Sequence, residues 1–221
     1  MGREDQIVSE RLRKIKELRD RGINPYPQVF EQKKKAAELQ EKFSKLKAGE
    51  KTKTSVAIAG RLLNFRDFGK ISFGVVQDIS GKIQITVKKE ETPDKVTNFC
   101  KKYLDIGDIV GVEGIIHRTE KGELSVLIQK VTVLSKSILP LPEKWRGLQD
   151  KEERYRKRYL DLIMDPQVKE VFKTNLSPNV PSQFKFSGMN NVLILVYGKE
   201  GKETERYIKK NYPNLEIGIL D

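Results

Sequence analysis

KISFGVVQDISGKIQITVKKEETPDKVTNFCKKYLDIGDIVGVEGIIH, residues 70–117, decides the fold. In its first eight residues Ile71, Phe73 and Val75 alternate with Ser72, Gly74 and Val76, the two-residue period of a strand. Asp78-Ile79-Ser80-Gly81 turns the chain. Ile83, Ile85 and Val87 then share one face while Gln84 and Thr86 share the other, as on a second, antiparallel run. Residues 93–104 (PDKVTNFCKKYL) break that period and predict an amphipathic helix. Gly107-Asp108 restarts the sheet in residues 109–117, where Gly111 and Gly114 suit the tight bends of a small closed barrel. Upstream, Val56, Ile58 and Gly60 begin a strand that runs on to Phe65. Downstream, Lys121-Gly122 turns into a last strand over residues 123–134.

Three strands, a helix and two more strands are the layout of an OB-fold, a small barrel that binds oligonucleotides. The expected fold class is therefore an all-β OB-fold barrel of five strands with one inserted helix, preceded by an α-helical arm. With a short βαβ-like C-terminal segment, the chain is α+β as a whole. In the arm, Val8, Leu12, Ile15 and Leu18 follow helical spacing and Gly22 falls where a C-terminal cap belongs. Asn24-Pro25-Tyr26-Pro27 interrupts the backbone. A second helix is expected near residues 32–46, with Ala36, Leu39, Phe43 and Leu46 on one side. Lys33, Lys34, Lys35, Lys42 and Lys45 lie on its other side, either as a solvated face or as phosphate contacts. Past the barrel, Leu139-Pro140-Leu141-Pro142 is an extended connector. Residues 149–162 predict a charged helix with Tyr155, Tyr159 and Leu162 as its apolar stripe, and Asp165-Pro166 predicts a fresh helix start. Residues 176–191 read as a loop, and 192–220 as one strand-helix-strand unit. The expected divisions are an arm over 1–50, the barrel over 51–137, a linker and first helix over 138–174, and a βαβ-like tail over 175–221.

The 221 residues carry 43 lysines and arginines against 31 acids, a net charge of +12. That balance favours a polyanionic partner but carries no sequence information. A single cysteine, Cys100, excludes an internal disulfide framework and is expected to be a buried, inert thiol. The lone His117 has no ligand partners in sequence, so no metal role is assigned to it. The first residues lack the apolar core of a signal peptide and no run approaches a membrane span; the cytoplasm is the expected location, with no membrane partner. No catalytic signature stands out. Gly198-Lys199-Glu200-Gly201-Lys202 has two residues between its glycines and Glu203 after the lysine, whereas a phosphate loop needs four and then Ser or Thr.

The binding constellation is stronger. Phe73 on a barrel face can stack a base, although periodicity equally allows it to pack in the core. Gln84 donates and accepts at once and can read a pyrimidine edge. Glu123 accepts from a base N–H and is a poor partner for phosphate. Arg66 can meet a base carbonyl or a phosphate in bidentate fashion. Together, on neighbouring strands, the four suggest a specific pocket.

Residues 21–27 (RGINPYP), 58–77 (IAGRLLNFRDFGKISFGVVQ), 81–84 (GKIQ), 122–125 (GELS) and 139–162 (LPLPEKWRGLQDKEERYRKRYLDL) resemble class II lysine–tRNA ligases. The resemblance runs from residue 10 to about 173. Its last stretch is specific to the lysyl enzymes, whereas the barrel pattern is shared with aspartyl and asparaginyl relatives. The resemblance implies a barrel that holds the anticodon loop of lysine tRNA. It also implies that the central anticodon uridine stacks on Phe73 and that Arg66, Gln84 and Glu123 make its hydrogen bonds. The family's adenylating core, which uses ATP and Mg, begins near Asp165, and its three class-defining motifs are not found in this sequence. The chain is therefore expected to bind tRNA without aminoacylating alone and without a cofactor of its own. Two alternatives stand beside that reading: a fragment of, or partner to, an ATP-dependent lysine–tRNA ligase, and small-ligand or partner binding by the C-terminal βαβ segment. A homodimer and a separate catalytic core are both open as protein partners.

Overall fold

Alternation along the central strands produces a barrel because one face of each strand is aliphatic and must leave water. The computed structural model describes residues 2–32, 34–142, 151–165 and 167–170. Five strands, β1 (Lys51–Asp67), β2 (Ile71–Gln77), β3 (Lys82–Lys88), β4 (Ile109–Arg118) and β5 (Leu124–Ser135), close in the order β1-β2-β3-β5-β4. The long β1 serves two neighbours. Residues Ser55 to Arg61 pair with β4, residues Arg61 to Asp67 pair with β2, and a register shift between Leu62 and Asn64 eases the change. At Gly60 an added Cβ would lie 2.4 Å from the Gln77 carbonyl oxygen, so the bend needs glycine. All pairings are antiparallel except β3 with β5, where Gln84, Ile85 and Thr86 face Ser125, Val126 and Leu127. That parallel seam closes the OB-fold.

Inside lie Val56, Ile58, Leu62, Val76, Ile83, Ile85, Val87, Val110, Val112, Ile116, Leu124, Val126 and Ile128. The helix α3 (Asp94–Tyr103) sits between β3 and β4 in sequence and buries Thr97, Cys100 and Tyr103. Burial pushes the Cys100 thiol up to about 12, so it stays protonated and unreactive. Gly114 meets the bend expected of it: a Cβ there would lie 2.1 Å from the Leu127 carbonyl oxygen. At Gly111 the nearest obstacle is instead the Phe30 ring, 2.4 Å from such a Cβ, so the glycine makes room for the arm.

The arm departs from its sequence pattern in two ways. Helix α1 (Arg3–Asp20) buries Ile15 and Leu18, but Leu12 is 48 % exposed and Arg11 takes its place. The Arg11 guanidinium donates to the carbonyls of Ser137 (2.9 Å), Leu139 (2.9 Å) and Ile106 (3.0 Å), which turns the stripe toward it. Helix α2 (Ala36–Lys42) is shorter than residues 32–46 because Phe43 already terminates it. Its first turn is capped from the β2–β3 turn: Asp78 Oδ2 accepts from the Ala36 amide (2.7 Å) and Ser80 Oγ from the Ala37 amide (3.0 Å). Ala36 and Leu39 are buried, with Phe43 and Leu46 packed on the core.

The chain divides into two units, Met1–Arg146 and Gly147–Asp221. In the second, the expected single helix is two, α4 (Lys151–Arg156) and α5 (Arg158–Met164), interrupted at Lys157. Tyr155 and Tyr159 are 62 % and 60 % exposed rather than an inward stripe. Asp161 is buried instead, held by Arg154 (3.1 Å) and Arg158 (2.7 Å), so ion pairing replaces aliphatic packing there. Asp165 Oδ1 accepts from the amides of Gln167 (2.8 Å) and Val168 (3.4 Å), the hydrogen bonds of a helix cap. The loop, the strand-helix-strand unit and the Gly198–Lys202 turn expected further on lie outside the described residues.

Candidate nucleic-acid interface

Strand alternation sends a second set of side chains outward. On β2 these are Ile71, Phe73 and Val75, while Ser72, Gly74 and Val76 are buried. On β3 Gln84 and Lys88 share that side with Thr86, which is buried, and on β5 the matching positions are Ser125 and Leu127, both buried. Over this face lies a cleft of about 630 Å³ that gathers Arg66, Phe73, Gln84 and Glu123 together. The structure thus brings all four sequence-predicted residues to one place, from β1, β2, β3 and the start of β5.

Each has a definite setting. Phe73 lies opposite Arg66 on β1 and opposite Thr86 on β3. It is half-buried and lines the cleft rather than joining the core. Arg66 is exposed and makes no ion pair among the described residues, so its guanidinium can turn to a phosphate or a base carbonyl. Gln84 donates from Nε2 to Ser125 Oγ at 2.8 Å, and Ser125 Oγ in turn donates to the Glu123 carbonyl at 3.2 Å. That relay fixes which way the amide points and leaves Gln84 Oε1 as an acceptor toward the cleft. Glu123 is exposed, with its backbone pinned at both ends of the β4–β5 turn: its amide donates to Thr119 Oγ1 (3.0 Å) and its carbonyl accepts from the Thr119 amide (2.9 Å).

Sequence reading missed three contributors. Phe68 is 65 % exposed and stands edge-on to Phe73, with ring centroids 6.2 Å apart at 65°. Its signal was an aromatic just before Gly69-Lys70, in a turn where water would favour a polar residue. The turn is rigid: Gly69 has φ of 82°, and Asp67 accepts from the Gly69 amide (3.0 Å), Ser72 Oγ (2.8 Å) and Lys101 Nζ (3.0 Å). The Lys101 and Ser72 contacts hold the Asp67 carboxyl below its usual range. Ser125, the partner of Gln84, carries no recognisable signal in sequence. His117, set aside as a non-ligand, lines the cleft at 2 % exposure. Charges of both signs surround it, with Lys88, Lys121 and Glu120 also on the cleft wall. Arg118 is committed elsewhere, donating to the carbonyls of Gly122 (2.6 Å), Phe43 (2.9 Å) and Ser44 (3.2 Å) and so tying the arm to the barrel.

An aromatic ring flanked by an amide, a carboxylate and a free guanidinium can stack a flat heterocycle and bond its edge. Among the described residues no group of three or more His, Cys, Asp or Glu side chains could hold a metal ion. No described helix is long and apolar enough to cross a membrane.

Comparison with known proteins agrees with this geometry. Residues 56–134 match the tRNA anti-codon family, described as an OB-fold nucleic acid binding domain. The chain is 46% identical over 177 residues to a lysine–tRNA ligase of Trichormus variabilis, covering 77% of this chain and 32% of that protein. It is 44% identical over 172 residues to the chloroplastic/mitochondrial lysine–tRNA ligase of Arabidopsis thaliana, covering 76% and 29%. A lysine–tRNA ligase of Carboxydothermus hydrogenoformans is 46% identical over 168 residues, covering 76% and 33%. The chain therefore spans about a third of the length of the curated relatives it matches.

Proposed function

We propose, from the premise that residues 56–134 are an OB-fold nucleic acid binding domain similar to that of lysine–tRNA ligases, that the cleft receives the anticodon loop of lysine tRNA. The observation that carries this reading is the convergence of Arg66, Phe73, Gln84 and Glu123 on one cleft. Phe73 stacks the central uridine; the Glu123 carboxylate accepts from its ring N–H; the Gln84 amide bonds the same edge; Arg66 donates to a carbonyl or the adjoining phosphate. The lysines along 34–45 and around the cleft supply attraction that is indifferent to sequence. Lys34 is exposed and within 3.7 Å of Glu38, so part of its charge is already neutralised.

The test is a titration of labelled RNA with the chain and with Phe73→Ala. A lysine-type anticodon stem-loop is expected to lose roughly five- to 150-fold in affinity, the value of one base stack. A mixed-sequence single strand is expected to lose far less. Equal losses for both would overturn the pocket.

The likeness to whole lysine–tRNA ligases supports a second reading, in which this module serves an ATP-dependent aminoacylating core carried by the same or another polypeptide. Lysine attachment to tRNA by the chain alone is not expected. Stimulation of a core lacking its own barrel would support partnership, and no stimulation would count against it.

A further inference from the structure

The turn that follows β3 carries its own countercharge. Glu91 meets Lys51 at the start of β1 and Lys88 at the end of β3, the latter at 3.3 Å. Its backbone has little freedom. The Glu91 and Thr92 amides donate to the Lys88 carbonyl (3.0 and 2.7 Å), the Lys88 amide donates to Thr92 Oγ1 (3.2 Å), and Gln129 Nε2 donates to the Glu91 carbonyl (3.0 Å). The carboxylate is thus aimed at the two ammonium groups. The bond from Lys51, with that from Lys88, outweighs burial and holds the Glu91 carboxyl below its usual range, so it is charged at neutral pH. The triad stands at the rim of the cleft: Lys88 lines it, and Lys51 pairs across β1 and β4 with His117, which lines it too. Lys88 also faces Ile71, two residues along β2 from Phe73, so the phosphate next to a base on that ring passes close to it. Beneath the triad His117 is 2 % exposed, and its Nε2 is buried with no hydrogen-bond partner. A closed triad keeps a polar atom from water, which opposes closure. Opening returns that atom to water, so exchange of the carboxylate for another anion costs less than the two ion pairs alone suggest.

We propose that Glu91 is a specificity-determining residue of the cleft that acts by exclusion: its carboxylate holds Lys51 and Lys88 as a phosphate would, and so withholds both from the backbone of a passing strand. The inference rests on the reading of the cleft as an RNA site and concerns the phosphates rather than the bases. A strand that takes these lysines displaces a carboxylate instead of salt ions, so it gains no counterion release there. A loop anchored by its stacked base keeps a fixed phosphate path and loses little by this. A mixed strand, free to settle wherever cations are available, loses more. Glu91 thereby widens the gap between the two.

The test measures binding of a lysine-type anticodon stem-loop and of a mixed-sequence single strand, from about 50 to about 200 mM salt, by the chain, Glu91→Gln and Glu90→Gln. Glu90 is the exposed neighbour, and the two lysines pair with Glu91 instead, so its variant removes the same charge without freeing them. For Glu91→Gln on the mixed strand the logarithmic salt slope should steepen by roughly 0.7 to 1.4, the release from one or two phosphates. Its gain in affinity over the parent should then be roughly three- to sevenfold greater at the low-salt end than at the high. The stem-loop should gain less, so its advantage over the mixed strand shrinks, and Glu90→Gln should keep the parent's slope. Equal slopes for the two variants, a loss of affinity in Glu91→Gln, or an equal gain on loop and mixed strand would each overturn the proposal. Should Glu91→Gln not fold, Lys51→Gln answers in its place. With Lys51 already withheld, that variant keeps the parent's slope; a slope shallower by roughly 0.7 would show Lys51 meeting phosphate directly and overturn the proposal. Phe73→Ala reports separately on the anticodon reading, because it lowers affinity without changing the slope, and the steepening from Glu91→Gln should persist in that background.

Discussion

Protonating His117 opposes folding, because burial, then Lys88 and Lys51, holds its pKa down at about 4 while Glu91 pulls the other way. The unfolded imidazole titrates near 6.5, so between those values the unfolded chain binds the extra proton. The neutral form's advantage is complete above pH 6.5 and is lost as pH falls, by about 2 kcal/mol at pH 5 and at most about 3 kcal/mol at pH 4. Urea midpoints at pH 7.5 and 5.2 should show this fall in the parent and much less of it in His117→Phe; identical falls would place the titration elsewhere. The same residue marks the limit of what sequence conveys. A lone histidine at a strand end says nothing about which atoms are orphaned, since that depends on three neighbouring strands. Phe73 differs: periodicity left it between core and cleft, and the structure places it on the cleft by putting Ser72, Gly74 and Val76 inward. Two apolar-looking halves of one strand can be ordered only once the barrel closes.

The five strands and α3 were legible because a period of two, glycine turns and an amphipathic break are local signals. The ends of β1, by contrast, extend well past Val56 and Phe65, since pairing with β4 and β2 prolongs it. The arm was legible as helices but not in its orientation, because a charged side chain sets it. Arg11 reaches three carbonyls, and Lys14 Nζ meets Asp105 Oδ1 at 2.7 Å. Asp105 also accepts from Lys136 (2.6 Å), which is fully buried and bonded to Asp108 (2.7 Å) and to the Tyr103 carbonyl (2.7 Å). Burial raises the Asp108 carboxyl despite Lys136, whereas the bonds from Lys136 and Lys14 outweigh burial at Asp105 and lower it. Lys136→Met leaves the Asp108 carboxyl buried without its cation and Asp105 with Lys14 alone, and should cost about 3–5 kcal/mol in chemical denaturation. A loss under 1 kcal/mol would mean that the network contributes little to joining arm and barrel. Because these residues lie away from the cleft lining, RNA affinity of the folded variant should stay near the parent's.

The excess of 12 positive charges acts over the whole surface, and its signature is salt dependence. Affinity for any single strand should fall with salt at a logarithmic slope of roughly −0.7 for each phosphate engaged. Phe73→Ala should lower affinity at every salt concentration without altering that slope, because a stack releases no counterions; a changed slope would show that the ring had been positioning a cation. Attraction and recognition are then separate properties, one spread over the lysines and arginines and the other held in the cleft. The most direct examination of the latter compares a lysine-type anticodon stem-loop with the same loop made abasic at its central position, phosphates retained. The parent chain should bind the abasic loop at least roughly five- to 150-fold more weakly, and Phe73→Ala should show a much smaller difference between the two loops, the part left to the hydrogen bonds of Arg66, Gln84 and Glu123. Equal binding of both loops by the parent would show that no base enters the cleft, and the assignment of this barrel to the anticodon would be wrong.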